Sequence, residues 1–192
     1  SYNTAVGAQA GQEVTTGTNN TLIGGLAGDA LTTGGANVAV GYAALSTEDG
    51  NGNNVAVGYL ALTTQNTGAD GHNTGVGHKA GRNITTGTQN TFVGALVGDA
   101  STEGVHNVAM GYAALTTDTK GNYSVAIGAG ALATQNFTTA TSAYNVGVGE
   151  DAGNDITTGV RNTLIGGLAG DALTDADDNT AVGVLALSTC VL

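Results

Sequence analysis

Residues 37–45 read Asn-Val-Ala-Val-Gly-Tyr-Ala-Ala-Leu, and residues 107–115 read Asn-Val-Ala-Met-Gly-Tyr-Ala-Ala-Leu. This nine-residue phrase is one instance of a unit that runs through the whole chain. The unit is anchored on a polar residue before an apolar stretch: Asn3, Asn20, Asn37, Asn54, Asn73, Asn90, Asn107, Ser124, Asn145, Asn162 and Asn179. The steps between anchors are 17, 17, 17, 19, 17, 17, 17, 21, 17 and 17 residues. Three residues after each anchor stands Val6, Ile23, Val40, Val57, Val76, Val93, Met110, Ile127, Val148, Ile165 or Val182. One residue further on is always glycine: Gly7, Gly24, Gly41, Gly58, Gly77, Gly94, Gly111, Gly128, Gly149, Gly166 and Gly183. Seven after the anchor the residue is Ala in ten units and Val97 in the other. A fixed short period of this kind decides the fold class before any single residue is weighed.

A slower rhythm lies over the first. Eight residues after the anchors come Gly11, Gly28, Leu45, Leu62, Gly81, Gly98, Leu115, Leu132, Gly153, Gly170 and Leu187. Two glycine units alternate with two leucine units, which divides the chain into super-repeats 3–72, 73–144 and 145–192. The extra residues of the longer units fall between Gln65 and His72 and between Gln135 and Tyr144, which marks a surface loop at that point of the coil. Residues 1–192 therefore read as one repetitive domain, a segment of a longer fibre.

Each unit opens with about five residues that alternate in character, as in Asn54-Val-Ala-Val-Gly58, and β-branched residues at that spacing read as a short strand. Glycine then permits a corner that a side chain would block. A second apolar patch follows, and a Gly/Asn/Asp tail turns the chain again. Helical repeats need roughly 33 residues or more per unit, and glycine at this density would penalise every helix. The expected fold is all-β: a parallel β-solenoid of about eleven coils of ~17 residues, with two short strands per coil. In register, successive coils pair at about 4.8 Å and the anchor amides stack into a ladder. Val40, Val57 and Val76 are expected to form an interior column. The residue between the two strand apolars is then expected to face outward, and it is never charged. Its largest members, Leu22, Phe92 and Leu164, are the expected subunit interface of a homo-oligomer of parallel rods.

Composition narrows the function. The chain has 33 Gly, no Pro and only 4% aromatics, and its apolar share is mostly Ala and Val, which suits a thin core. Collagen is excluded by the absence of Pro and of a three-residue period. Fifteen acids against four bases give a net charge of −11, which argues against nucleic acid and anionic membranes. It suits a soluble surface in extracellular surroundings. No apolar run approaches the ~20 residues that span a bilayer, and the single Cys190 has no partner for an internal disulfide.

The side chains that carry chemistry read mainly as parts of the repeat. Gly75-Val-Gly77-His-Lys-Ala-Gly81 has the glycines of a nucleotide loop but lacks the lysine–serine ending. Asp29, Asp99 and Asp171 recur once per super-repeat, and Asp175, Asp177 and Asp178 crowd one tail. Calcium is conceivable there, although solvated turn carboxylates explain the residues as well and no cofactor is required. His72 and His106 are two coils apart, about 10 Å by strand spacing, too far to share a metal. Three surface His offer no nucleophile–base–acid set, so the chain reads as a non-enzyme. Thr pairs at 15–16, 32–33, 63–64, 85–86, 116–117 and 157–158 form a column of the type that ice-binding solenoids present, with β-propensity and hydroxyl ladders as the plainer account. Tyr42, Tyr59 and Tyr112 share one corner column, while Tyr2, Tyr123 and Tyr144 stand just before anchors, where exposed rings suit a glycan.

The segment Tyr123-Ser-Val-Ala-Ile-Gly-Ala-Gly-Ala-Leu132 resembles the head repeat of trimeric autotransporter adhesins of the YadA type, and similar units occur in bacteriophage tail fibres. The resemblance implies a left-handed parallel β-roll, three chains side by side, and a role in attachment on a cell surface or virion. The function expected from the sequence is thus a structural and adhesive fibre segment, homotrimeric, meeting a surface receptor or glycan. An ice-binding solenoid is the alternative.

Overall fold

The computed structural model describes residues 2–189, so Cys190 lies outside the described residues. Eleven three-residue strands, one per coil, pair side by side in a single parallel sheet: β1 (Thr4–Val6), β2 (Thr21–Ile23), β3 (Val38–Val40), β4 (Val55–Val57), β5 (Thr74–Val76), β6 (Thr91–Val93), β7 (Val108–Met110), β9 (Val125–Ile127), β11 (Val146–Val148), β12 (Thr163–Ile165) and β13 (Thr180–Val182). Two further strands, β8 (Gly121–Asn122) and β10 (Thr141–Ser142), form a separate parallel pair. Register follows the repeat without slippage: Val38 pairs with Val55, Ala39 with Ala56, Val40 with Val57, and Val57 then with Val76. The fold is a β-solenoid whose sheet runs about 50 Å along the axis at ordinary strand spacing.

In most coils only the first half is a strand, and the coils anchored on Asn107 and Ser124 alone among the described residues carry a second, two-residue strand, β8 and β10. Elsewhere the expected second strand is not formed, and left-handed corners on either side keep that segment short. The residues six and eight after the anchor have φ near +55°, as at Ala43 (51°) and Leu45 (53°), and the residue before the anchor matches them, as at Asn53 (62°). Coil-to-coil bonds continue nonetheless, for example from Thr15 N to Thr32 O (2.9 Å) and from Thr32 N to Asp49 O (2.6 Å).

The repeat glycine four after the anchor is fixed by contact as well as by φ. At Gly111 φ is +131°, and a Cβ would lie 2.5 Å from the Gly128 carbonyl oxygen of the next coil. A side chain would therefore push successive coils apart at the point where the chain leaves the sheet.

The anchor residues lie inside the wall and tie each coil to its neighbour and to itself. Asn20 Oδ1 accepts the Asn37 N–H at 2.9 Å, while Asn20 Nδ2 donates to Gly34 O of its own coil at 2.8 Å. The same pair of bonds recurs at Asn90, which accepts from Asn107 N (2.9 Å) and donates to Gly104 O (2.7 Å). Ser124 has no amide to contribute. Gln135 fills the gap by donating to Ser124 Oγ (3.0 Å) and accepting from Asn145 Nδ2 (2.8 Å).

The core corrects the expected facing of the strands. The middle residue of each strand points inward: Leu22 is 1% exposed and Phe92 and Leu164 are 0%, so these three residues are core and offer nothing to a second subunit. Val40, Val57 and Val76 do align in one column, but on the outer face, half-covered. Space is the reason. The coil is narrow, and its interior is also filled by the Ala or Val97 seven after the anchor and, in leucine units, by Leu45, Leu62, Leu115 and Leu132. Opposite those leucines the strand supplies only Ala39, Ala56, Ala109 and Ala126. Where the strand supplies Leu22, Phe92 or Leu164, the facing position is Gly28, Gly98 or Gly170. A Cβ at Gly98 would lie 2.7 Å from the Phe92 ring. In the fifth and ninth units both positions are glycine (Gly75 and Gly81, Gly147 and Gly153), and Leu62 with Phe92, or Leu132 with Leu164, reaches in from the adjacent coils. The four-unit rhythm is thus a volume rule that holds interior density.

Candidate functional site: the outer sheet face and two aromatic ladders

The outer face of the eleven-stranded sheet carries two parallel ranks. One is Thr4, Thr21, Val38, Val55, Thr74, Thr91, Val108, Val125, Val146, Thr163 and Thr180; the other runs from Val6 through Ile23, Val40 and Met110 to Val182. Alternation in an extended strand places both ranks on the side opposite the buried middle residues. No member of either rank is charged. Ile165 is 40% exposed and Met110 45%, so the face is wet where nothing covers it. An uncharged stripe of this length, β-branched at every position but Met110, is unusual on a chain with net charge −11.

Aromatic rings border this face at both strand ends. At the corner just after the repeat glycine, Tyr42 stacks on Tyr59 (centroids 5.8 Å apart, planes at 16°), and Tyr59 stacks on His78 (5.6 Å, 9°). At the corner before the anchors, His106 stacks on Tyr123 (5.1 Å, 9°) and Tyr123 on Tyr144 (5.0 Å, 11°). Tyr112 stands in the first column between the small residues Ala95 and Ala129. The sequence placed the tyrosines in their columns. It did not reveal the histidines as ladder members, although His78 and His106 fall on the same repeat positions. Continuing the second column, Arg161 grips Asp178 through Nε (2.6 Å) and Nη2 (2.7 Å), and Asp178 is held below the usual carboxylate range mainly by that hydrogen bond.

The threonine column is bonded only in part: Thr16, Thr86 and Thr158 are exposed, while the threonine before each donates to the next coil. Thr15 Oγ1 donates to Thr32 O (3.0 Å), Thr32 Oγ1 to Asp49 O (2.9 Å), Thr85 Oγ1 to Thr102 O (3.2 Å) and Thr157 Oγ1 to Thr174 O (3.1 Å). Their protons are spent on the carbonyls of the next coil.

Two buried carboxylates were not singled out in the sequence. Glu48 is fully buried and Asp118 is 2% exposed, both eleven residues after an anchor, where glycine units place Leu31, Ile84, Ile156 or Leu173. Glu48 accepts from Gln65 Nε2 (3.0 Å) and Asn51 Nδ2 (2.9 Å). Asp118 accepts from Gln135 Nε2, Gly121 N and Phe137 N. Burial pushes both carboxyls above the usual carboxylate range. The signal was available: an acid followed by Gln 17 residues later, recurring 70 residues on.

Asp29 is likewise raised, mainly by burial, while Asp99 pairs with Arg82 at 3.1 Å. A groove lined by Asp151, Asn154, Asp155, Leu168 and Asp171 has a volume of about 180 Å³. Among the described residues no three His, Cys, Asp or Glu side chains converge in a way that would hold a metal ion. No helix among the described residues is long and apolar enough to cross a membrane. Comparison with protein-family models, curated proteins and solved structures finds no match to the chain.

Proposed function

We propose that this chain is a structural and adhesive segment of an extracellular fibre, in which parallel copies lie side by side with their outer sheet faces together. The observation that carries the reading is the uncharged double rank on that face. Two rods of net charge −11 repel each other over most of their surface, and the sheet face is where they approach without that cost. A partner of the same sequence presents the same spacing of coils, so one Val–Ile rank meets another in register along the whole length. Each aliphatic side chain fully withdrawn from water contributes roughly 1.5–3 kcal/mol, and half-exposed ones correspondingly less. The resemblance of the repeat to adhesin heads and tail fibres supports three as the number of chains, and a cell surface or virion as the setting.

Light scattering on the purified segment tests this. The expected mass is three times that of the chain, and Val57→Lys combined with Ile127→Lys is expected to return it to one. Both side chains point outward, so circular dichroism and melting of the double variant stay close to those of the parent. A parent that remains a monomer at micromolar concentration overturns the reading. The ice-binding alternative would rest on the exposed Thr16, Thr86 and Thr158 alone, because the first hydroxyl of each of these pairs is donated within the rod, and a thermal-hysteresis measurement tests it.

A further inference from the structure

We infer that the corner formed by Tyr123, Tyr144, Arg161 and Asp178 binds a neutral saccharide. The residue before each anchor from Asn20 onward adopts the left-handed conformation, and the coils before His106 fill it with Asn19, Ala36, Asn53, His72 and Gln89 (φ 61°, 57°, 62°, 50° and 61°). Asn is among the few residues that enter this region readily, whereas bulky side chains pay for it. In the later coils the position holds His106, Tyr123, Tyr144 and Arg161, with φ of 59°, 61°, 50° and 59°. Tyr144 is 53% exposed, so its ring does not repay that cost by burial in the core. The return for that conformation is the stack of Tyr144 on Tyr123, which fixes the ring at the surface and not in the core.

The rest of the corner departs from the repeat at the same place. The longest insertion, between Gln135 and Tyr144, folds back so that Thr141–Ser142 pairs with Gly121–Asn122 and delivers Tyr144 onto Tyr123. Arg161 follows one coil on, with its N–H bonded to Ala143 O at 2.7 Å, but its guanidinium reaches forward to Asp178 and away from the tyrosine. Tyr144, 53% exposed and stacked on Tyr123, thus stands one coil before the surface guanidinium–carboxylate fork of Arg161 and Asp178. An aromatic face takes the C–H side of a pyranose, and a planar donor set beside a carboxylate acceptor takes adjacent hydroxyls. Asp175, Asp177 and Asp178 crowd the same end and disfavour a uronic or sialic acid, which leaves neutral sugars. This site lies on one chain and does not require the assembly proposed above, although it would give that fibre its means of attachment.

The test is a titration of the intact segment with maltohexaose, cellohexaose, mannohexaose and chitohexaose, read by tyrosine emission, which no Trp obscures, and by saturation-transfer NMR. At least one sugar is expected to bind saturably. Tyr144→Ala and Arg161→Gln should each weaken it about tenfold, equivalent to ~1.4 kcal/mol, while Tyr42→Ala at the other corner leaves it unchanged. Light scattering on the same samples separates this from assembly. The inference fails if none of the four sugars binds, if binding survives both corner substitutions, or if Tyr42→Ala weakens it equally. It also fails if Tyr144→Ala alters only the mass of the particle.

Discussion

Gln65 Nε2 donates to the Glu48 carboxylate across 3.0 Å inside the coil, and the Gln65 oxygen in turn accepts Asn73 Nδ2 at 3.0 Å. A buried acid is thus wired to the anchor ladder, and Asp118, Gln135 and Asn145 repeat the arrangement one super-repeat later. Among the described residues neither carboxyl has a basic side chain paired with it.

This wiring sets the sign of the pH response. Both carboxyls have folded-state values raised above the unfolded ones by burial. In the interval between those values the folded chain holds protons that the unfolded chain has lost, so stability falls as pH rises through it and then levels off. Urea unfolding at stepped pH should show that slope, with stability falling as pH rises above the ordinary carboxylate range. The double variant Glu48→Gln, Asp118→Asn should flatten it; an unchanged slope would assign it to other groups.

Gly111→Ala should cost about 3 kcal/mol or more, because the new methyl meets the Gly128 carbonyl and φ is +131°. Gly68→Ala is the matched control: φ is +68° but nothing lies within 4 Å, so only about 1 kcal/mol is expected. Chemical denaturation of the two variants side by side measures the difference.

Asn90→Ala removes the acceptor of the Asn107 N–H and the donor to Gly104 O, both buried. Leaving such groups unpaired costs roughly 1–3 kcal/mol each. Amide exchange at Asn107 should accelerate before that of distant coils, since a solenoid couples chiefly to its neighbours. Uniform acceleration along the rod would contradict a local ladder.

Phe92→Ala should destabilise by about 3–5 kcal/mol, as expected for a large buried side chain. If the outer face is the contact surface, this variant keeps the parent's oligomeric mass at temperatures where it stays folded. Loss of assembly without loss of stability would return Phe92 to the surface.

Period, register and strand position were legible in the chain itself. The spacing of Asn37, Asn54 and Asn73 and the glycine four residues after each leave no other pairing that keeps like residues together, and the two insertions fall where coils can bulge. The tyrosine columns followed from the same count. Which side of the strand faces inward was not legible. Ala39 and Val40 are both uncharged, and a period of two looks the same from either side. That choice belongs to the closed coil: the corner at Gly41 turns the chain so that the middle residue meets Leu45 across a space with room for one large side chain, and the β-branched neighbours are left outside. The buried acids and the ring stacks depend on the same closure, since Glu48 and Gln65, or Tyr123 and Tyr144, become neighbours only when the coils are laid one over another.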